Sequence, residues 1–111
     1  MKKGEVWFVD IPGIQGREQQ GVRPVIILAD LEANIVMIIP CTTKKTSLRF
    51  PNVIEMTPSK GNGLKEKSFL LVFQLRAIDK KRLIKKVGTI DNKLMSTIEK
   101  MIINMLKLTH E

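Results

Sequence analysis

Residues 23–40 read RPVIILADLEANIVMIIP. Val25 to Ala29 is a near-continuous apolar run, and IVMIIP from Ile35 is a second. Short apolar runs bounded by turn residues are the pattern of strands buried on both faces. The stretch Asp30 to Asn34 is too short for a crossover, so the two are expected to be antiparallel neighbours. A buried hairpin at the centre of a small chain makes the fold mainly β.

Working outward, EVWFVD (Glu5 to Asp10) is rich in β-branched and aromatic residues, with Val6, Phe8 and Asp10 on one face and Trp7 and Val9 on the other. It reads as a first strand. Between it and the hairpin, IPGIQGREQQG carries Pro12, Gly13, Gly16 and Gly21 among polar residues. A connection of about ten residues is longer than most in compact domains, and such loops tend to be functional. On the other side Pro40 is expected to end the strand, and CTTKKTSLRF follows as a polar, basic loop. PNVIEM then gives a short strand and TPSKGNG a turn. SFLLVFQLRAID, Ser68 to Asp79, predicts one long strand with Leu70, Val72, Gln74 and Arg76 on one face. KKRLIKK is dense in positive charge, and VGTI supplies a last short strand. From Asp91, a natural N-cap, the period becomes helical, with Leu94, Ile98, Met101, Ile102, Met105 and Leu106 spaced by three and four. Five or six short strands and a C-terminal helix predict a strongly curved sheet or partly open barrel.

With 111 residues, 43% hydrophobic and 27% charged, the chain is expected to be one domain over 1–111. A lone cysteine, Cys41, makes neither an internal disulfide nor a four-cysteine zinc site, which suits a reduced, cytoplasmic setting. No signal-peptide h-region and no membrane-length apolar run are present, so neither secretion by that route nor a membrane span is expected. The one histidine, His110, is penultimate. Histidine acid-base pairs and histidine metal clusters are therefore excluded, and neither metal nor cofactor is expected. Nineteen Lys and Arg against eleven Asp and Glu leave +8, which makes a polyanion the first partner to consider.

Three groups of residues could carry chemistry. In GREQQGVRP, a glycine-hinged loop can deliver Glu18 and Gln19 towards Arg23, whose planar fork of donors suits a phosphate. The plainer alternative is a surface loop in which Arg23 pairs with Glu18. In PCTTKK, Thr42 and Thr43 offer hydroxyls beside Lys44 and Lys45, either for phosphate contact or as an ordinary polar turn. Cys41 fits a small buried filler better than a nucleophile. Lys44, Lys45 and Arg49 in one segment, and Lys80, Lys81, Arg82, Lys85 and Lys86 in another, either line a basic groove or form solvated faces. The methionines of the helix suit core packing or a dimer contact.

GEVWFVD, GREQQGVRPVIIL, IIPCTTKK and FQLRAIDKKRL, closed by an amphipathic helix, together resemble the MazF/PemK toxin endoribonucleases of bacterial toxin-antitoxin pairs, from Gly4 to about Leu106. The resemblance implies an SH3-like barrel that forms a homodimer, cuts single-stranded RNA at short sequences without a metal, and is silenced by a cognate antitoxin. It implies catalytic roles for Arg23 and Thr42, with Glu18 as the acidic residue of the first loop and Gln74 and Arg76 as polar positions of the long strand. At Phe73 some members carry a carboxylate instead, and at Arg17 others carry a histidine. The CcdB-like toxins share a related barrel and dimer but poison DNA gyrase by binding, through C-terminal helix residues that include a terminal aromatic. This chain ends LKLTHE and keeps Arg23 and Thr42. A non-catalytic RNA-binding SH3-like module is the third alternative.

The chemistry is compatible with such a site. RNA carries its own nucleophile, the 2'-hydroxyl, so a protein without a histidine pair can cleave it by aligning that group with the phosphorus. Arg23 and Thr42 would stabilise the phosphorane, Glu18 is the better base, and Arg23 can donate to the leaving oxygen. Gln19, Thr43, Lys44, Lys45, Arg49, Gln74, Arg76, Lys80 and Lys85 are the expected RNA contacts. The antitoxin should be acidic, since carboxylates can occupy a groove built for phosphates.

Overall fold

The computed structural model describes residues 1–10 and 22–108. Strands β1 (Glu5–Asp10), β2 (Val22–Leu31), β3 (Ile35–Thr42), β4 (Val53–Met56), β5 (Ser68–Leu71), β6 (Arg76–Asp79) and β7 (Leu83–Thr89) precede one helix, α1 (Asn92–Leu106). All pairings are antiparallel, in the order β4-β5-β3-β2-β1-β7, with β6 also on β3. The sheet is not closed, since β4 and β7 lie at its two ends. The expected central hairpin is present. Its turn is tightened by Ala33 and Asn34, both in the left-handed region with φ of 66° and 64°.

Residues 68–79 do not form the single strand that alternation predicted. A 3-10 turn at Val72–Gln74 divides them. The reason lies in β3, whose second edge is shared: Ile35 to Ile38 pair with β6, while Cys41 and Thr42 pair with β5. Breaking the chain between them lets β5 turn to pair with β4 as well, and all four β5 residues are buried. Pro40 does not end β3. It is paired with Val25 on one side and lies where β3 exchanges β6 for β5 on the other, so its missing N–H interrupts no ladder there. The last strand is longer than VGTI because Lys85 and Lys86 belong to β7, and lysines are well tolerated on a strand at a sheet's edge.

The two faces of the sheet bury different clusters. On one, Val6, Ile26, Ile39, Cys41 and Leu70 pack with Met95 and Ile98 of α1. On the other, Val9, Val25, Ile27, Val36, Ile38 and Ile78 pack together, with Trp7 and Leu83 against them. The helix begins at Asp91, whose Oδ1 accepts from the Leu94 amide at 2.8 Å, and it stops at Lys107, which is left-handed. Leu106, expected on the apolar stripe, is exposed.

The turn before β5 is held by Asn62, which is buried. Its Oδ1 accepts from the Ser59 and Leu64 amides and its amide donates to the Thr57 carbonyl. This turn presses on β7 closely enough that glycine is required at both contact points. A Cβ on Gly63 would lie 1.9 Å from the Val87 carbonyl oxygen, and one on Gly88 would lie 2.4 Å from that of Gly61.

Candidate functional site

Arg23 is the second residue of β2 and pairs with Val9 of β1. Thr42 is the last of β3 and pairs with Phe69 of β5. The β2–β3 ladder runs Ile27↔Ile38, Ile26↔Ile39, Val25↔Pro40 and ends there, so Arg23 and Thr42, each two residues further on, lie at the same end of the two strands. Alternation from Val25 and Pro40, which are directly paired, puts Arg23 and Thr42 on one face of the sheet. Arg76 shares that face too, because it pairs with Ile38. Register thus brings a guanidinium, a hydroxyl and a second guanidinium to the margin of the second apolar cluster. Arg23 and Thr42 are both half-buried and Arg76 is exposed.

Two local details define what these groups can do. Thr42 Oγ1 accepts from the Lys44 amide at 3.2 Å, which occupies a lone pair and leaves the hydroxyl proton to donate elsewhere. The Arg23 guanidinium reaches Cys41 electrostatically and pulls its thiol pKa down. Burial outweighs that attraction and pushes the thiol far up, so Cys41 is a buried filler and not a nucleophile.

The other expected contacts are divided among three places. Thr43 and Lys85 line one cleft of about 500 Å³ with Phe8, Pro24, Leu64 and Lys65. Val22 and Pro24 both line it, so alternation turns Arg23 between them to the opposite face. Lys45 and Arg49 bound a 3-10 turn just after β3, where Arg49 lies over the Phe50 ring at 4.9 Å and Phe50 meets Phe73 with centroids 5.3 Å apart. Gln74 follows Phe73 in the turn between β5 and β6 and is exposed. Lys80 is elsewhere: its Nζ is 2.6 Å from Asp30 and its amide donates to the Asn34 carbonyl, at the hairpin end of β2 and β3. Glu18 and Gln19 lie outside the described residues.

Sequence reading missed the cleft residues Phe8, Leu64 and Lys65, and the pairing of Phe50 with Phe73. Only the Arg49-Phe50 dipeptide gave a local signal. It also missed a buried carboxylate. Glu5 is 8% exposed; its Oε1 accepts from Trp7 Nε1 at 2.9 Å, and Lys86 Nζ lies 3.4 Å from Oε2. Burial pushes its pKa up, but the Trp7 N–H, the Lys2 backbone and Lys86 together hold it below the ordinary carboxylate value. Among the described residues no three His, Cys, Asp or Glu side chains are grouped to ligate a metal. No helix among them is long and apolar enough to cross a membrane.

A curled antiparallel sheet with one packed helix and a basic, hydroxyl-bearing margin is the class the geometry defines. The family model of the PemK-like, MazF-like toxin of type II toxin-antitoxin systems matches residues 2–106, and the chain belongs to that family. It is 31% identical over 106 residues to the endoribonuclease MazF of Staphylococcus saprophyticus, covering 92% of this chain and 88% of that protein. With the endoribonuclease EndoA of Bacillus subtilis it shares 30% over 103 residues, or 89% and 88% of the two chains. A mycobacterial endoribonuclease solved in complex with its cognate antitoxin has the same fold, with a TM-score of 0.71 at 18% identity over 98% of this chain and 95% of that one.

Proposed function

We propose that residues 1–111 form a single-domain, cytoplasmic toxin that cleaves single-stranded RNA at specific short sequences, acts as a homodimer and is inhibited by an acidic antitoxin. The observation that carries this is that Arg23 and Thr42 lie at the same end of β2 and β3 and on the same face, in a chain whose relatives are named endoribonucleases. The neighbour solved with its antitoxin supports the partner, and the charge of +8 supports an acidic one.

In this reading the 2'-hydroxyl attacks the adjacent phosphorus and the 5'-oxygen leaves, giving a cyclic phosphate and a 5'-hydroxyl. Arg23 donates two hydrogen bonds to the phosphorane oxygens and Thr42 donates one. Glu18 takes the proton of the nucleophile, and Arg23 hydrogen-bonds to the leaving 5'-oxygen, which takes its proton from solvent. Incubating the protein with a long single-stranded RNA in EDTA, and with the same RNA carrying 2'-deoxy substitutions at the scissile nucleotides, tests it. Cutting of the first alone is expected. Cutting of the deoxy strand would make water the nucleophile and overturn the mechanism, and no cutting of either by folded protein would favour a gyrase-poisoning or purely RNA-binding role.

A further inference from the structure

Phe50 is an anomaly for an aromatic side chain. It is 43% exposed, in a basic segment, with a guanidinium over its ring and a second phenyl tilted by 35° beside it. Phe73 is fixed by its own turn, where its amide donates to the Asn52 carbonyl at 3.3 Å and Leu75 closes back on Val72 at 3.1 Å. Asn52 is two residues past Phe50 and left-handed, with φ of 61°. The two rings are therefore held by two backbone segments that are tied to each other.

We propose that Arg49, Phe50 and Phe73 form a nucleobase-stacking subsite for single-stranded RNA, next to the Arg23 and Thr42 margin. This rests on the RNA-cleaving reading above. Every nucleobase has a flat π-face, and an exposed ring beside positive charge is the arrangement by which proteins hold single strands. The guanidinium over Phe50 marks the face that a base would take, since both are flat and both stack on a phenyl ring. When a base takes that face, the displaced Arg49 is left beside the strand to pair with a phosphate. The segment begins three residues beyond Thr42, and Phe69, which pairs with Thr42, lies four residues before Phe73, so both rings are carried by chain leaving the Thr42 end of the sheet. Phe73 backs Phe50 and keeps the ring from turning away. The cleft beside Thr43 and Lys85 lies on the other face of β2 and is not part of this subsite.

The test uses the Arg23→Ala protein, so that substrate survives, and measures fluorescence anisotropy with a labelled oligouridylate of about twelve nucleotides and with an abasic strand of the same length. Phe50→Ala should weaken binding to oligouridylate by about 5- to 100-fold and leave the abasic strand nearly unchanged. Phe50→Trp should restore binding, whereas Phe50→Leu, which keeps the packing on Phe73 without a π-face, should not. Arg49→Ala should lower the log-log salt slope by about 0.7, and Phe50→Ala should leave the slope alone because stacking releases no counterion. Equal losses on both strands, or full rescue by Phe50→Leu, would make Phe50 a structural residue and overturn the proposal. So would loss of binding to an acidic peptide with RNA affinity unchanged. The subsite and the enzymatic reading fail separately, because RNA cleavage by the wild-type protein is read independently of these affinities.

Discussion

Arg23 and Thr42 offer a phosphate different things. A guanidinium supplies charge and two parallel donors, while a hydroxyl supplies one neutral donor. Arg23→Ala should lower single-turnover cleavage of a defined RNA by about 10²- to 10³-fold, and Thr42→Ala by about tenfold, with thermal melts confirming that both fold. Arg23→Lys should stay close to the alanine variant, because a point charge cannot reproduce the fork. A folded Arg23→Ala that cuts at the wild-type rate would reduce Arg23 to a surface cation. Glu5 makes a second prediction at this scale. Its folded-state pKa is lowered, so its contribution to stability is present above the ordinary carboxylate pKa and is lost as the pH falls through the folded value. Urea midpoints from pH 7 down to pH 3 should therefore fall less steeply for Glu5→Gln than for the wild type. The variant should start lower at pH 7, since Lys86 loses its charged partner and Trp7 keeps only a neutral acceptor.

The basic segments, alike in sequence, are separated by the elements that carry them. Lys85 is exposed on the edge strand β7 and lines the cleft shared with Thr43. Lys80 is in the 3-10 turn before β7, held by Asp30 at the hairpin. If RNA leaving the Arg23 and Thr42 face turns round the end of the sheet into this cleft, Lys85→Ala should lower the salt slope of RNA binding by about 0.7 and Lys80→Ala should leave it unchanged. Anisotropy titrations at several salt concentrations read both. A loss of slope in Lys80→Ala equal to that in Lys85→Ala would mean that the strand also crosses the hairpin. The divided strand at 68–79 matters for the same reason. One continuous strand would have set Gln74 and Arg76 on a single face, whereas the turn exposes Gln74 beside Phe73 and leaves Arg76 on the face of Ile38.

Across the whole molecule, one sheet serves two cores because its residues alternate. Val6 and Ile26 face α1 while Val9 and Val25 face the other cluster, and the margins of the second cluster carry the polar groups. A protein of charge +8 built this way attracts polyanions from any direction, so selectivity must come from side chains positioned by packing. Much of this was legible in the sequence. The apolar runs around Asp30–Asn34 determined the central hairpin, the change of period at Asp91 determined the helix and its cap, and the motifs around Arg23 and Thr42 pointed to the family. These are local signals, fixed by backbone preference and by which residues avoid water. Pro40, the break at Val72–Gln74 and the true length of β7 were not legible, because each depends on which strand lies alongside. The same holds for the site. Residue types named Arg23, Thr42, Lys80 and Lys85 alike, but only strand register put Arg23 and Thr42 at one end and on one face of the sheet, an ion pair drew Lys80 to the hairpin, and packing brought Phe73 to Phe50. Contacts between residues distant in the chain are chosen by the free energy of the whole packed sheet, and no window of sequence contains that sum.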